Sequence, residues 1–152
     1  MAISINQLRL RLGADEPSYA TLTRLGPAIL PQLGLLVTDR STYVAANAAS
    51  LAGMIGSEQA VAVLERAVQN PSPIVRTAVA AALARVQGPK AAGLVSRLLT
   101  DRDKGVRKFA IRSATAKPNP AFASRIAALS QNDPQPHLRA LASQALSRIR
   151  RV

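Results

Sequence analysis

Four segments of this chain share one pattern, and their spacing limits what it can fold into. Asp39-Arg-Ser-Thr-Tyr-Val44, Asn70-Pro-Ser-Pro-Ile-Val75, Asp101-Arg-Asp-Lys-Gly-Val106 and Asp133-Pro-Gln-Pro-His-Leu138 each set an Asp or Asn five residues before a branched aliphatic. Those aliphatics recur at intervals of 31, 31 and 32 residues. A period of this size marks stacked supersecondary units, because one such unit is too small to bury its own apolar face and must lean on its neighbours.

The apolar positions around each anchor keep register. Ala48, Val79, Ala110 and Ala142 follow at four residues, and Ala52, Leu83, Ala114 and Leu146 follow at eight, which lines one face of a helix. Leu33, Leu64, Val95 and Ile126 precede the anchors, with Leu36, Ala67, Leu98 and Leu129 one turn later. Each unit therefore reads as two amphipathic helices. The Asp or Asn, with Pro or Gly close behind, stops the first helix, and its short polar side chain is expected to cap the second. Gly26-Pro27, Gly88-Pro89 and Pro118-Asn119-Pro120 separate units.

The spacing predicts one all-α domain over 1–152, with helix pairs near 28–55, 59–87, 90–116 and 121–150 inside repeats 26–57, 58–88, 89–119 and 120–152. Residues 1–25 read as an N-terminal cap or degenerate repeat. The Leu8, Leu10, Leu12 alternation also permits a short strand, although a helix packed on the first repeat is the simpler reading.

The run Leu25-Gly-Pro-Ala-Ile-Leu-Pro-Gln-Leu-Gly-Leu-Leu followed by Asp39 and Val44, and its echo in Val75-Arg76 and Ala80-Ala81-Ala82-Leu83, resembles HEAT repeats. The nearest subtype is the short bacterial, phycobilisome-lyase-like one. The resemblance covers about residues 25–150. It implies a right-handed α-solenoid of antiparallel helix pairs with the second helices on the concave side. It also implies a ladder of bonds between neighbouring repeats, formed by Asp39, Asn70, Asp101 and Asp133 with an Arg following each aliphatic, namely Arg76, Arg107 and Arg139. Ala45 breaks that pattern in the first unit. The recurrent carboxylates are thereby read as framework and not as catalytic acids, since Asn70 takes the same place without acidity.

Charge separates the two halves. Residues 1–75 hold five bases and five acids, while residues 76–152 hold fifteen bases against Asp101, Asp103 and Asp133, so the whole net charge of +12 lies in the second half. Such asymmetry points to an acidic partner. Lys104, Lys108 and Arg112 fall at i, i+4 and i+8 on one helix and form a basic stripe. The corresponding positions elsewhere are Thr42, Ala46 and Ser50, then Pro73, Thr77 and Ala81, then Pro136, Ala140 and Gln144. Arg85, Arg148 and Arg151 extend the basic surface.

The chain has no Cys, which excludes thiolate metal sites, cysteine nucleophiles and redox relays. His137 is the single histidine, and no phosphate-loop, dinucleotide or Gly-x-Ser-x-Gly motif occurs. These features predict a non-enzyme without cofactor or metal that binds an acidic protein through the basic face of its second half. Duplex nucleic-acid backbone is the alternative. With two Tyr, two Phe and no Trp, the chain is poorly equipped to stack single-stranded bases. The resemblance adds a bilin-lyase-type or phycobilisome-associated role, and the similar alkylpurine DNA glycosylases rely on tryptophan that is absent here. The N-terminal arginines follow their apolar neighbours instead of preceding a long apolar core, so no signal peptide, no membrane partner and a cytoplasmic location are expected.

Overall fold

The computed structural model describes residues 2–152; Met1, at the head of the expected cap, lies outside them. Among the described residues ten α-helices follow one another: α1 (Ile5–Leu12), α2 (Tyr19–Thr23), α3 (Leu30–Leu36), α4 (Thr42–Ile55), α5 (Ala60–Ala67), α6 (Pro73–Ala82), α7 (Pro89–Leu98), α8 (Lys104–Ala116), α9 (Ala123–Asn132) and α10 (Pro136–Ile149). Short 3-10 turns at Gly26–Ile29, Leu83–Arg85 and Pro120–Phe122 join units. No strand forms among the described residues. Leu8 and Leu12 are buried one helical turn apart while Leu10 is exposed, so the leucine alternation belongs to a helix.

The repeat positions become the core. Val44, Val75, Val106 and Leu138 are buried, as are the alanines, valine and leucines at four and eight residues beyond them. Each valine or leucine side chain removed from water in this way contributes about 1.5–3 kcal/mol and each alanine less, which must offset the ordering of short helices that would not persist alone. Leu129 of α9 is only half-buried, packed against the edge of the core.

The second helices α4, α6, α8 and α10 pack side by side along the whole stack. Among the first helices, α3 lies firmly against α5, but the contact weakens from α5 to α7 and again from α7 to α9. The layer of first helices is thus splayed and the layer of second helices is closed, which is an α-solenoid with the second helices on its inner side.

Helices α4 and α6 approach closely in this layer. A Cβ on Gly53 would lie 2.5 Å from the Ala82 Cβ, so no side chain fits there. Gly56 ends α4 with a φ of 70°, the left-handed stop that glycine adopts without penalty.

The caps differ from the sequence reading. Ser41, Ser72 and Asp103 are the N-caps of α4, α6 and α8, accepting from the backbone N–H of Val44, Ile74 and Val106. The recurrent Asp or Asn stands two residues earlier and accepts from the N–H of the cap residue itself. Asp39 accepts from Ser41, Asn70 from Ser72, Asp101 from Asp103 and Asp133 from Gln135, at 2.8–2.9 Å. An Asx turn explains why Asn serves as well as Asp, since only the carbonyl-type oxygen is used.

Candidate interaction surface

The ladder comes first, because it decides which charges are free. Arg76 Nε and Nη2 donate to the two Asp101 oxygens at 2.9 and 3.1 Å, and Arg107 donates in the same forked manner to Asp133 at 2.8 and 3.2 Å. In each case Nη1 turns back to donate to carbonyls of its own turn: Asn70 and Pro71 for Arg76, Asp101 and Arg102 for Arg107. The arginine of one unit thus reaches the carboxylate of the next.

This direction of reach corrects the expectation for the first units. Ala45 supplies no arginine, and the acceptor one unit on is Asn70, which carries no charge; its Nδ2 donates instead to the Val37 carbonyl at 3.1 Å. Asp39 is paired from the cap, where Arg9 of α1 donates to both of its oxygens at 2.8 and 3.1 Å. Arg9 was not singled out in the sequence because it stands outside the 31-residue spacing. Arg139 differs as well. Its Nη1 donates to the Asp133 carbonyl at 2.7 Å, but it has no carboxylate partner among the described residues.

Burial grades the three pairs. The Asp133 side chain is fully covered and Arg107 is 11% exposed, whereas Arg9 is 40% exposed. Burial alone would raise the carboxyls of Asp101 and Asp133, but Arg76 and Arg107, helped by the backbone N–H donors, outweigh it and hold both below the usual carboxylate range. The Arg9 bond does the same for Asp39.

All three acids of residues 76–152 are therefore committed to the frame, Asp101 and Asp133 in the ladder and Asp103 as a cap. Nothing of opposite charge remains in that half to neutralise the bases outside the ladder. Lys104 and Arg112 are exposed on α8 and Lys108 between them is half-buried, so the stripe reaches the surface of the inner layer. The Arg112 guanidinium lies 5.2 Å from the centroid of the Phe109 ring, which orients it by cation–π attraction. Phe109 is half-buried and supplies that platform.

Gln144, Arg148 and Arg151 come together on α10 and the tail beyond it, lining a shallow groove of about 610 Å³ with Thr115, Ser143 and Ser147. Arg85, exposed in the 3-10 turn after α6, lines neither this groove nor the α8 stripe. Other hollows occur on the stack, two of them away from the ladder turns. One of about 310 Å³ between α7, α8 and the Pro120–Phe122 turn is mostly aliphatic, and burial lowers the pKa of Lys117 at its edge. The other, about 500 Å³, lies between α3 and α5. His137 is exposed, and among the described residues no group of three or more His, Asp or Glu is placed to hold a metal ion.

Residues 30–93 match the family model for HEAT repeats. That segment is built of HEAT repeats. Among solved structures the chain is similar to one described as the complex of CpcE and CpcF of phycocyanin lyase from Nostoc sp. PCC7120, with a TM-score of 0.77 and 21% identity over 93% of this chain and 96% of that one. At that identity the likeness is one of fold. No curated protein sequence matches the chain. No helix among the described residues is long and apolar enough to cross a membrane.

Proposed function

We propose that this chain is a non-catalytic HEAT-repeat adaptor that holds an acidic segment of a protein partner against the inner face of its second half. Lys104, Lys108 and Arg112 form the centre of the binding surface, Gln144, Arg148 and Arg151 its C-terminal continuation and Arg85 its margin. The observation that carries the reading is the commitment of Asp101, Asp103 and Asp133 to the frame, which leaves the inner-face bases unneutralised. A concentrated, one-signed field on a preformed helical surface recruits acidic ligands and speeds their encounter. The similar solved structure is described as a complex of two chains, which supports a protein as the partner. The same fold likeness raises a subsidiary reading as a lyase-type subunit, in which this chain would act only in complex.

Duplex nucleic acid is the competing ligand for the same field. Neutralising about five phosphates would give a log–log salt slope near −4.5, so that binding would collapse between about 50 and 200 mM salt. Fluorescence anisotropy with labelled duplex DNA, duplex RNA and a poly-glutamate peptide, measured across that range, separates the two. The adaptor reading expects the peptide to bind, the Lys104→Glu, Lys108→Glu, Arg112→Glu variant to lose it, and neither duplex to bind at about 50 mM salt. Salt-steep duplex binding lost in that variant, without peptide binding, would replace the adaptor with a backbone-binding role.

A further inference from the structure

Two positions beyond each anchor aliphatic are apolar in every unit except the third. Seven residues on stand Leu51, Ala82, Ser113 and Ala145, and eleven residues on stand Ile55, Val86, Lys117 and Ile149. Leu51, Ala82, Ala145, Val86 and Ile149 are buried and Ile55 packs against the core, so both are core positions of the repeat. The third unit sets a hydroxyl and an amine in their place. These two polar residues lie one helical turn apart at the C-terminal end of α8, and both line the hollow of about 310 Å³.

That hollow has the layout of a small-ligand site. It lies where α7 and α9 scarcely touch, beside the Pro118-Asn119-Pro120 break. Its floor is apolar, with Leu83, Val86, Ala91, Val95 and Phe122 all buried, while Gln87 is exposed and Lys117 and Asn119 are half-buried at its rim. No carboxylate lines it, and Lys117 has no ion-pair partner among the described residues. The Ser113 hydroxyl is already donating to the Ala80 carbonyl, and Asn119 Oδ1 accepts from the Ala121 N–H. What is left for a ligand is chiefly donors, the Lys117 amine and the Asn119 amide N–H groups. Burial works against the charged amine, and a bound anion would offset that cost. Small-molecule sites of about 300–1,000 Å³ combine an apolar wall with a few placed polar groups, and this hollow stands at their lower end.

We propose that the hollow binds a small monocarboxylic acid with a short aliphatic body, its tail against Val95 and Phe122 and its carboxylate on the Lys117 ammonium and the Asn119 amide. The same chemistry occurs at the end of a peptide whose last residue is leucine. The free acid fits better, because a peptide end also brings a backbone N–H, and Asn119 Oδ1 is already engaged. The site is separate from the inner-face stripe, and it stands or falls independently of the adaptor reading.

The test titrates octanoate, octanol and a short peptide ending in leucine into the full chain, followed by amide proton–nitrogen correlation spectra. Octanoate is expected to bind saturably, with shifts gathered on Ala91, Ala92, Val95 and Lys117, and about tenfold more tightly than octanol, as a bond to a charged group provides. No octanoate binding up to about 10 mM, a weak limit for a ligand of this size, overturns the proposal. Equal binding of octanol, or shifts gathered on residues 104–112, overturns it as well. Tighter binding of the peptide would assign the hollow to a protein terminus and overturn the free acid.

Substitutions separate a ligand-binding lysine from a structural one. Lys117→Ile restores the aliphatic of the other units, so it should weaken octanoate about tenfold yet raise the melting midpoint by about 2 °C. A lowered midpoint would mean that the lysine serves the fold, and that result, or undiminished octanoate binding, overturns the proposal. Arg97→Met removes one charge at the far end of α7, exposed and outside the hollow, and should leave octanoate affinity unchanged. An equal loss in both variants would reduce the effect to general charge and overturn the site.

Discussion

The inner-face positions of α4 and α6 carry Ala46 and Ser50, then Thr77 and Ala81; in α8 the same positions carry Lys108 and Arg112. The backbone path is shared and the core positions beneath are equally buried, yet one region is neutral and the other strongly positive. The frame also changes character along the stack. Between α4 and α6 the helices approach until Gly53 touches Ala82, and the ladder of the first half is a partly exposed Arg9–Asp39 pair followed by an uncharged Asn70 step. In the second half the ladder is two buried ion pairs, Arg76–Asp101 and Arg107–Asp133. The contrast teaches that in the second half acids stand only where the fold consumes them, so that charge added there at positions the fold does not need stays available to a ligand.

Breaking the ladder is expected to separate the halves most sharply. Asp133→Ala strands Arg107 in a covered site and removes the Asx turn, a loss of about 3–5 kcal/mol by urea denaturation, as for other buried pairs deprived of one partner. Arg9→Ala, at the exposed pair, should leave the denaturation midpoint nearly unchanged.

Glycines give the opposite ranking. Gly53→Ala forces a Cβ into Ala82 and should destabilise by about 1–2 kcal/mol, overpacking outweighing the better helix propensity of alanine. Gly93→Ala in α7 meets nothing within 4 Å and should stabilise by up to about 1 kcal/mol. Equal effects at the two sites would remove the distinction between a tight first half and a looser outer layer further on.

Acid should act through the ladder carboxylates. Their folded pKa values are depressed, so their stabilisation is complete above the unfolded value of about 3.9 and is lost as pH falls through the lower folded values. Thermal melts between about pH 5 and pH 2 should show that loss, and Asp101→Asn with Asp133→Asn should flatten it more than Asp39→Asn. The smallest effect belongs to the stripe. Lys104→Ala, Lys108→Ala and Arg112→Ala together should leave the midpoint within the roughly 0.5 kcal/mol per site typical of surface changes, since no ion pair holds any of them among the described residues.

The repeated frame was legible in the sequence because each core position is written four times in register, from Val44 to Leu138. The less legible parts are those a repeat does not copy. Arg9 lies in a cap whose spacing departs from the period, so nothing marked it as the partner of Asp39. Ala45 and Asn70 form one departure from the ladder, because each arginine reaches into the next unit: without the guanidinium, a charged acceptor there would be left unpaired. The caps were assigned two residues early, because Asp and Asn suit an Asx turn and a helix N-cap equally well. Phe109 became informative only when its ring was seen beneath Arg112.

Amide hydrogen exchange of the full chain, with and without saturating poly-glutamate peptide at about 150 mM salt, tests most directly whether ligand binding is confined to the second half. Protection gathered on α8 and α10, around residues 104–112 and 144–151, with α3 and α4 unchanged, is the predicted result. Protection centred on α3 to α5, or none in α8, would contradict it.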